Sequence, residues 1–148
     1  MPSPRLLKGR WSQSRNVYAI TTITHRRQRF FDDADLVALA VATLQRLQQE
    51  GRCINLAWVV MPDHIHWLMQ LRGGTLAASV QIMKSRCSRL SGTDGPLWQR
   101  GYYDHAVRCD ESLRSQALYI AANPVRAGLA EQLGEYPFAW CRWFDRAP

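Results

Sequence analysis

The sequence has little lysine and few acidic residues. Its 148 residues carry 19 Lys and Arg against 12 Asp and Glu, a formal net charge of +7, and only Lys8 and Lys84 of the 19 are lysines. Arginine is the side chain best suited to forked contacts with phosphate and to stacking on bases. With six Trp and five Tyr, this composition indicates a nucleic-acid partner, although a basic surface that serves solubility alone fits it equally well.

Closely spaced cysteines and long apolar runs are also missing. The four cysteines are Cys53, Cys87, Cys109 and Cys141. Their spacing excludes a CxxC-type zinc or redox motif and predicts buried free thiols of a reducing compartment. The apolar runs are too short for a signal peptide or for a span across a bilayer. We therefore expect a cytoplasmic protein without a membrane partner.

The length fits a single domain. Residues 1–15, rich in Pro, Ser and Arg, are predicted to form a flexible basic arm, and residues 16–148 the domain itself. Strands are predicted at 16–24, 53–61, 64–71 and in the second half of 97–108. Helices are predicted at 33–50, from Thr75 onward, and from 110 to about 122.

This order of elements predicts an α+β fold. The sequence β-α-β-β-α-β is that of a ferredoxin-like antiparallel sheet with helices on one face, here with an extra C-terminal helix that carries Tyr119. That helix should end near 122, because Pro124 disfavours helical geometry in the residue before it. The residues after it, rich in Trp and Phe, are expected to pack as a terminal extension.

Two histidines stand at the turn between the second and third strands. His64 and His66 are two residues apart, so their side chains share one face of a strand while Ile65 points into the core. Two neutral imidazoles on one face can hold a divalent metal, or they can form a polar strand face without one. Asp63 could add a carboxylate to such a site or simply cap the turn.

A tyrosine lies on the polar side of the third helix. Tyr119 and Asn123 are four residues apart and share a face, which suggests a nucleophile beside an oxygen donor to the metal. A phenol, with a pKa of about 10, is a poor nucleophile unless it loses its proton or its target becomes more electrophilic. A metal that polarises a phosphate oxygen could do the second. An ordinary surface tyrosine is the alternative.

Four sequence blocks carry a family resemblance. They are MPDHIHWLM at 61–69, KSR at 84–86, LWQRGYYDHAVR at 97–108 and YIAANPVRAGL at 119–129. In this order they resemble the REP-associated tyrosine transposases, single-tyrosine members of the HUH transposases. The HxH pair alone is a weak signal, whereas the pair followed by the Tyr-x-x-x-Asn-Pro block is specific. One departure is Asp63, where the family often has Asn.

The resemblance implies a complete strand-transfer site. His64 and His66 would bind Mg²⁺ or Mn²⁺ with Asn123 as the third ligand. Tyr119 would attack a phosphodiester of single-stranded DNA, leaving a covalent 5′-phosphotyrosine and a free 3′-OH. The implied substrates are hairpin-forming palindromic repeats, and the implied state is a monomer or a homodimer. Two other functions stay open: a metal-dependent hydrolytic nuclease, and a DNA- or RNA-binding module with a vestigial active site.

Further residues are candidates for DNA contacts. Trp98, Tyr102 and Tyr103 lie among basic residues in a predicted loop and could stack on bases or merely pack. Predicted phosphate contacts, each of which could be only a solvated charge, are Lys84, Arg86, Arg89, Arg100, Arg108 and Arg126. We interpret Trp67 as a core residue. His25 and His105 have no partner that the sequence identifies, and we interpret them as structural or solvated.

Overall fold

The computed structural model describes residues 16–108 and 110–144, with the backbone alone at 110–112. The predicted arm at 1–15 lies outside the described residues. The strands are β1 (Val17–Ile23), β2 (Cys53–Met61), β3 (His64–Leu71), β4 (Tyr103–Val107) and β5 (Ala139–Cys141). The helices are α1 (Ala34–Gln49), α2 (Leu76–Ser91), α3 (Asp110–Ala121) and α4 (Asn123–Arg126). No helix within the described part of the chain combines the length and apolarity needed to cross a bilayer.

The five strands form one antiparallel sheet in the order β4-β1-β3-β2-β5. The predicted α+β class and antiparallel sheet are confirmed, and β3 lies at the centre. Strand β5 was not predicted, because a run of three residues is too short to show alternation of apolar and polar side chains. Its pairing with β2, for example Trp58 with Trp140, extends the sheet into the segment that we expected to pack only as an extension.

The alternation along β3 divides the molecule into two layers. Ile65, Trp67 and Met69 are buried on the face that α1 and α2 cover. Leu68 is buried on the opposite face, against the inward-facing residues of α3, which are Leu113, Ala117 and Ile120. Because side chains on a strand alternate, His64 and His66 share the face of Leu68. The extra helix that carries the tyrosine therefore covers the histidine face of the sheet.

Hydrogen bonds from the segment that follows β1 hold the turn between β2 and β3 in place. The backbone N–H of Thr24 donates to the carbonyl oxygen of Asp63 at 3.0 Å, and that of Phe31 donates to the carbonyl oxygen of Pro62 at 3.0 Å. The Thr24 hydroxyl adds a second bond to Asp63 O, also at 3.0 Å. These bonds fix the backbone immediately before His64, so the first histidine starts from a rigid point.

Three of the four cysteines can be placed. Cys53, Cys87 and Cys141 are buried free thiols, as predicted, whereas Cys109 lies outside the described residues. Burial raises the pKa of the Cys53 thiol to about 12. A thiol in this state is neither a nucleophile nor a ready metal ligand at neutral pH.

A buried polar contact fixes the position of β3 against α1 and β2. The Oδ1 atom of Asn55 accepts a hydrogen bond from Trp67 Nε1 at 2.7 Å, and its Nδ2 donates to the carbonyl oxygen of Leu44 at 2.9 Å. Asn55 and Trp67 are both buried. An unpaired polar group in such a place is costly, so the carboxamide favours one arrangement of these three elements.

We expect Asn55→Ala to lower the free energy of unfolding by about 3 kcal/mol, because the indole N–H and the Leu44 carbonyl would both lose their buried partner. Urea denaturation followed by tryptophan fluorescence measures the change. Gln45→Ala, at an exposed position on helix α1, is the control and should change the free energy of unfolding by no more than about 0.5 kcal/mol. Equal effects of the two substitutions would contradict the role given to Asn55.

Candidate active site

The two histidines present free nitrogen atoms on one side. Their ring centroids are 4.7 Å apart and their planes are nearly perpendicular, at 85°. The Nδ1 atom of His66 is hydrogen-bonded to the Thr21 hydroxyl at 3.0 Å, and that of His64 to Asp63 Oδ1 at 2.7 Å. Partners on Nδ1 that orient the ring and leave Nε2 free are typical of metal-binding imidazoles.

Burial keeps His66 neutral. Desolvation, helped by the neighbouring His64 and by the positive charge of Arg126, lowers the pKa of His66 to about 4. At pH 7 its ring nitrogen therefore carries a lone pair, and no proton has to be displaced before a cation binds. The two imidazoles fit the donor set expected for a divalent metal.

Asp63 has a role that the sequence did not predict. Its Oδ1 contacts His64, and its Oδ2 accepts a hydrogen bond from Arg27 Nη1 at 3.2 Å. Burial alone would raise the pKa of this carboxyl group, but the hydrogen bonds from His64 and Arg27 outweigh it and lower the pKa overall. Both oxygens make hydrogen bonds, so Asp63 orients the first imidazole in addition to its place in the turn.

Tyr119 and His66 border the same cavity. This cavity has a volume of about 240 Å³, with Thr21 and His66 from the sheet and Gln116, Tyr119 and Arg126 from the α3–α4 segment in its lining. Tyr119 is 62% exposed, so its phenol is open to a ligand. The structure thus brings together the predicted nucleophile and one of the predicted metal ligands within a single chain.

Arg126 joins the tyrosine to the predicted third ligand. Its guanidinium carbon lies 3.7 Å from the centroid of the Tyr119 ring, a cation–π contact. Its Nη2 donates to Asn123 Oδ1 at 3.2 Å. Asn123 does not line the cavity, so its role as a metal ligand stays a prediction. Among the described residues, no group of three or more His, Cys, Asp and Glu side chains is placed to bind a metal.

Two of the residues predicted to contact DNA have structural partners. Trp98 was predicted to stack on bases, but it is only 9% exposed. It packs on Phe31 with a centroid distance of 5.8 Å, and its Nε1 donates to the carbonyl oxygen of Lys84 at 3.1 Å. Lys84 Nζ donates to the carbonyl oxygens of Gln99 and Gly101 at 2.9 and 2.8 Å, and burial lowers its pKa. Both side chains hold the 97–101 loop against α2.

The predicted arginine contacts do not converge on one surface. Arg86 pairs with Glu50 at 2.9 Å, and Arg86 and Arg89 line a second cavity, of about 400 Å³, between α1 and α2. That cavity lies in the helix layer on the face of the sheet away from His66. Arg100 and Arg108 are exposed near the two ends of β4. Of the residues predicted to contact phosphate, Arg126 lines the cavity that Tyr119 and His66 border.

The aromatic candidates on and beside β4 differ from each other. Tyr102 is half-buried against the core, whereas Tyr103 is 63% exposed and lines the cavity. The structure adds Gln116, which shares the helix face of Tyr119, to the lining, together with Thr21 and His105, to which the sequence assigned no role in the site. A strand pattern tells which side chains share a face, but not which distant strand pairs with it, so the sequence held no signal for His105.

A known protein family matches most of the chain. The model of the family described as transposase, IS200-like, matches residues 12–123. The chain belongs to the IS200-like transposase family. The REP-associated tyrosine transposase of Escherichia coli K12 is 31% identical over 85 residues, which cover 56% of this chain and 51% of its relative. The chain thus spans about half the length of that relative.

Solved structures support the same fold. The structure of a REP-associated tyrosine transposase bound to a REP hairpin has a TM-score of 0.70 and 23% identity, covering 84% of this chain and 75% of the other. A protein of Deinococcus radiodurans gives a TM-score of 0.53 at 21% identity, over 70% and 87% of the two chains. At these identities the similarity establishes the fold alone.

The bond between Thr21 and His66 should matter for metal affinity. We expect Thr21→Val to weaken Mn²⁺ binding by about 10–100-fold, because the imidazole loses the partner that orients it. Isothermal titration calorimetry on the protein without DNA measures the change.

The neighbouring Thr22 offers a matched control. Its hydroxyl is buried and has no hydrogen-bond partner in the part of the chain that the structure describes. Thr22→Val should leave Mn²⁺ affinity unchanged and leave stability equal or higher, since the valine removes an unpaired polar group. The interpretation would be wrong if both valines weakened Mn²⁺ binding to the same degree.

Proposed function

We propose that this chain cleaves and rejoins single-stranded DNA through a covalent 5′-phosphotyrosine at Tyr119. The observation that carries the proposal is the shared cavity of the Tyr119 phenol and the His66 imidazole. In the reaction, the phenolic oxygen bonds to phosphorus, the P–O3′ bond breaks, and a free 3′-OH is left. Attack of a 3′-OH on the phosphotyrosine reverses the step and joins strands.

The proposed substrate is hairpin DNA. The solved relative is described as bound to a REP hairpin, and the family is one of transposases. The net charge of +7 suits a polyanion. Such a substrate agrees with the predicted cytoplasmic location. Because Tyr119 and His66 belong to one chain, the proposal needs no second copy to complete the site, which supports action as a monomer.

A divalent metal, Mg²⁺ or Mn²⁺, fits the residues present. His64 and His66 would hold it through their free Nε2 atoms, and Asn123 is the proposed third donor. When bound, it would polarise a phosphate oxygen and make the phosphorus more electrophilic. Two imidazoles favour Mn²⁺ over Mg²⁺, since nitrogen ligands suit softer ions.

The chain's own residues position the nucleophile. The Arg126 guanidinium over the Tyr119 ring limits the motion of the phenol and supplies positive charge where a phenolate would form. Thr21 and Asp63 hold the two imidazoles. A phosphodiester in the cavity would therefore meet groups whose orientations are already set, which is the main way in which an enzyme lowers the entropic cost of attack.

Tyr119→Phe should abolish formation of the adduct, because the ring then has no oxygen to bond to phosphorus. The assay uses a single-stranded REP-type hairpin oligonucleotide, labelled at its 3′ end, with Mn²⁺ present. A band shifted on a denaturing gel reports the covalent adduct. Tyr18→Phe, on β1 and packed against the core of the α1–α2 layer, is the control and should retain the adduct.

Other outcomes separate the competing functions. An adduct formed by the Tyr119→Phe protein would refute the assignment of the nucleophile. Cleavage without an adduct in both proteins would identify a hydrolytic nuclease. Salt-sensitive binding without cleavage, unchanged by EDTA or by His64→Ala, would identify a binding module.

A further inference from the structure

The cavity beside Tyr119 has two walls and a floor. The floor comes from β1 and β3, with Ala19, Thr21 and His66. One wall is the α3–α4 segment with Gln116, Tyr119 and Arg126. The other wall is β4, which contributes Tyr103, Asp104 and His105. Because β4 is the edge strand next to β1, this second wall lies across the floor from the tyrosine helix.

The strand register determines where His105 points. His105 pairs with Ala19, and Tyr103 pairs with Thr21. Directly opposed residues of antiparallel strands project to the same face, and Thr21 is on the His66 face because its hydroxyl contacts that ring. His105 therefore projects into the histidine face of the sheet, opposite the small side chain of Ala19. Its imidazole is exposed and makes no hydrogen bond or ion pair within the described residues.

The geometry of the proposed reaction assigns a chemical role to the β4 wall. In an in-line displacement the attacking and leaving oxygens lie on opposite sides of the phosphorus. With Tyr119 attacking from the α3 wall, the 3′-oxygen departs toward β4. A sugar alkoxide is a strong base and a poor leaving group, so a proton donor placed on that side would accelerate cleavage.

Three kinds of group stand on the β4 wall. Carboxyl groups ordinarily lose their proton far below neutral pH, and phenols ordinarily hold theirs until far above it. An imidazole exchanges its proton near neutral pH and can serve in both directions of a reversible reaction. The position and the chemistry therefore favour the same residue.

We propose that His105 is a catalytic residue, the general acid for the 3′-oxygen. This inference rests on the proposed strand transfer at Tyr119. As the bond from the Tyr119 oxygen to phosphorus forms and the P–O3′ bond breaks, a ring nitrogen of the His105 imidazolium gives its proton to O3′. The phenol proton passes to water. In rejoining, the neutral ring takes the proton from the attacking 3′-OH as the bond to Tyr119 breaks.

A sulfur-substituted substrate tests this assignment. Two hairpin oligonucleotides are compared, one with the natural phosphodiester and one with sulfur in place of the bridging 3′-oxygen at the cleaved position. A thiolate leaves without protonation. We expect His105→Gln to slow single-turnover adduct formation about 10²-fold or more on the oxygen substrate, the range typical of general acid catalysis, and by less than about threefold on the sulfur substrate.

Four controls keep the result interpretable. Fluorescence anisotropy should show that His105→Gln binds the hairpin within a few-fold of the wild type, and thermal melting should show that it is folded. Tyr103→Phe, on the same wall, should not show a defect that sulfur rescues. His105→Asn should reproduce the pattern of His105→Gln.

The outcomes distinguish this inference from the function on which it rests. An equal loss of rate on both substrates, or rescue by sulfur in Tyr103→Phe alone, would overturn the role of His105 and leave the Tyr119 mechanism intact. A wild-type protein that forms no adduct even with the sulfur substrate would overturn both.

Discussion

The two-residue period of β3 is the constraint on which the site depends. Ile65, Trp67 and Met69 must be buried against α1 and α2, and this requirement sends His64 and His66 to the other face. A slip of the strand by one residue would exchange the two sets and bury the imidazoles in the core. The hydrogen bond from Trp67 to Asn55 opposes such a slip, because it is available in one register only. The orientation of the two imidazoles is thus a consequence of core packing.

Much of this arrangement could be predicted from local patterns. The four longer strands and the first three helices follow from β-branched runs, apolar periodicity and turn residues, each of which acts over a few neighbours in the sequence. The family and the α+β fold were predicted and are confirmed. The pairing of β4 with β1 could not be predicted. Its partners, such as Ala19 and His105, are about 85 residues apart in the sequence, and no short-range signal specifies a contact over that distance. For the same reason the sequence could not show that His105 faces the cavity, nor decide between base stacking and packing for Trp98, which the structure buries.

The charge of the protein and the charge of the site are different matters. The net charge of +7 belongs to the whole chain, and two of its arginines, Arg86 and Arg89, lie between α1 and α2, on the face of the sheet away from His66. In the cavity itself the His66 side chain is neutral. Among the described residues that line the cavity, Arg126 supplies the positively charged side chain. The negative charge of Asp63 is already paired with Arg27. Long-range attraction can therefore bring a polyanion to the protein, while its alignment for reaction depends on a few groups around Tyr119.

The placement of Arg126 in that cavity follows from the break between helices α3 and α4. On a continuous α-helix, residues seven positions apart lie roughly 10 Å apart along the axis, yet the Arg126 guanidinium lies over the Tyr119 ring. Pro124 has no backbone N–H and cannot continue the hydrogen-bond pattern of α3. The chain instead ends α3 at Ala121 and starts the short helix α4 at Asn123. Pro124 is itself buried, so packing holds the start of α4 in place. The proline that marks the end of the helix in the sequence is therefore also what permits the cation to reach the phenol.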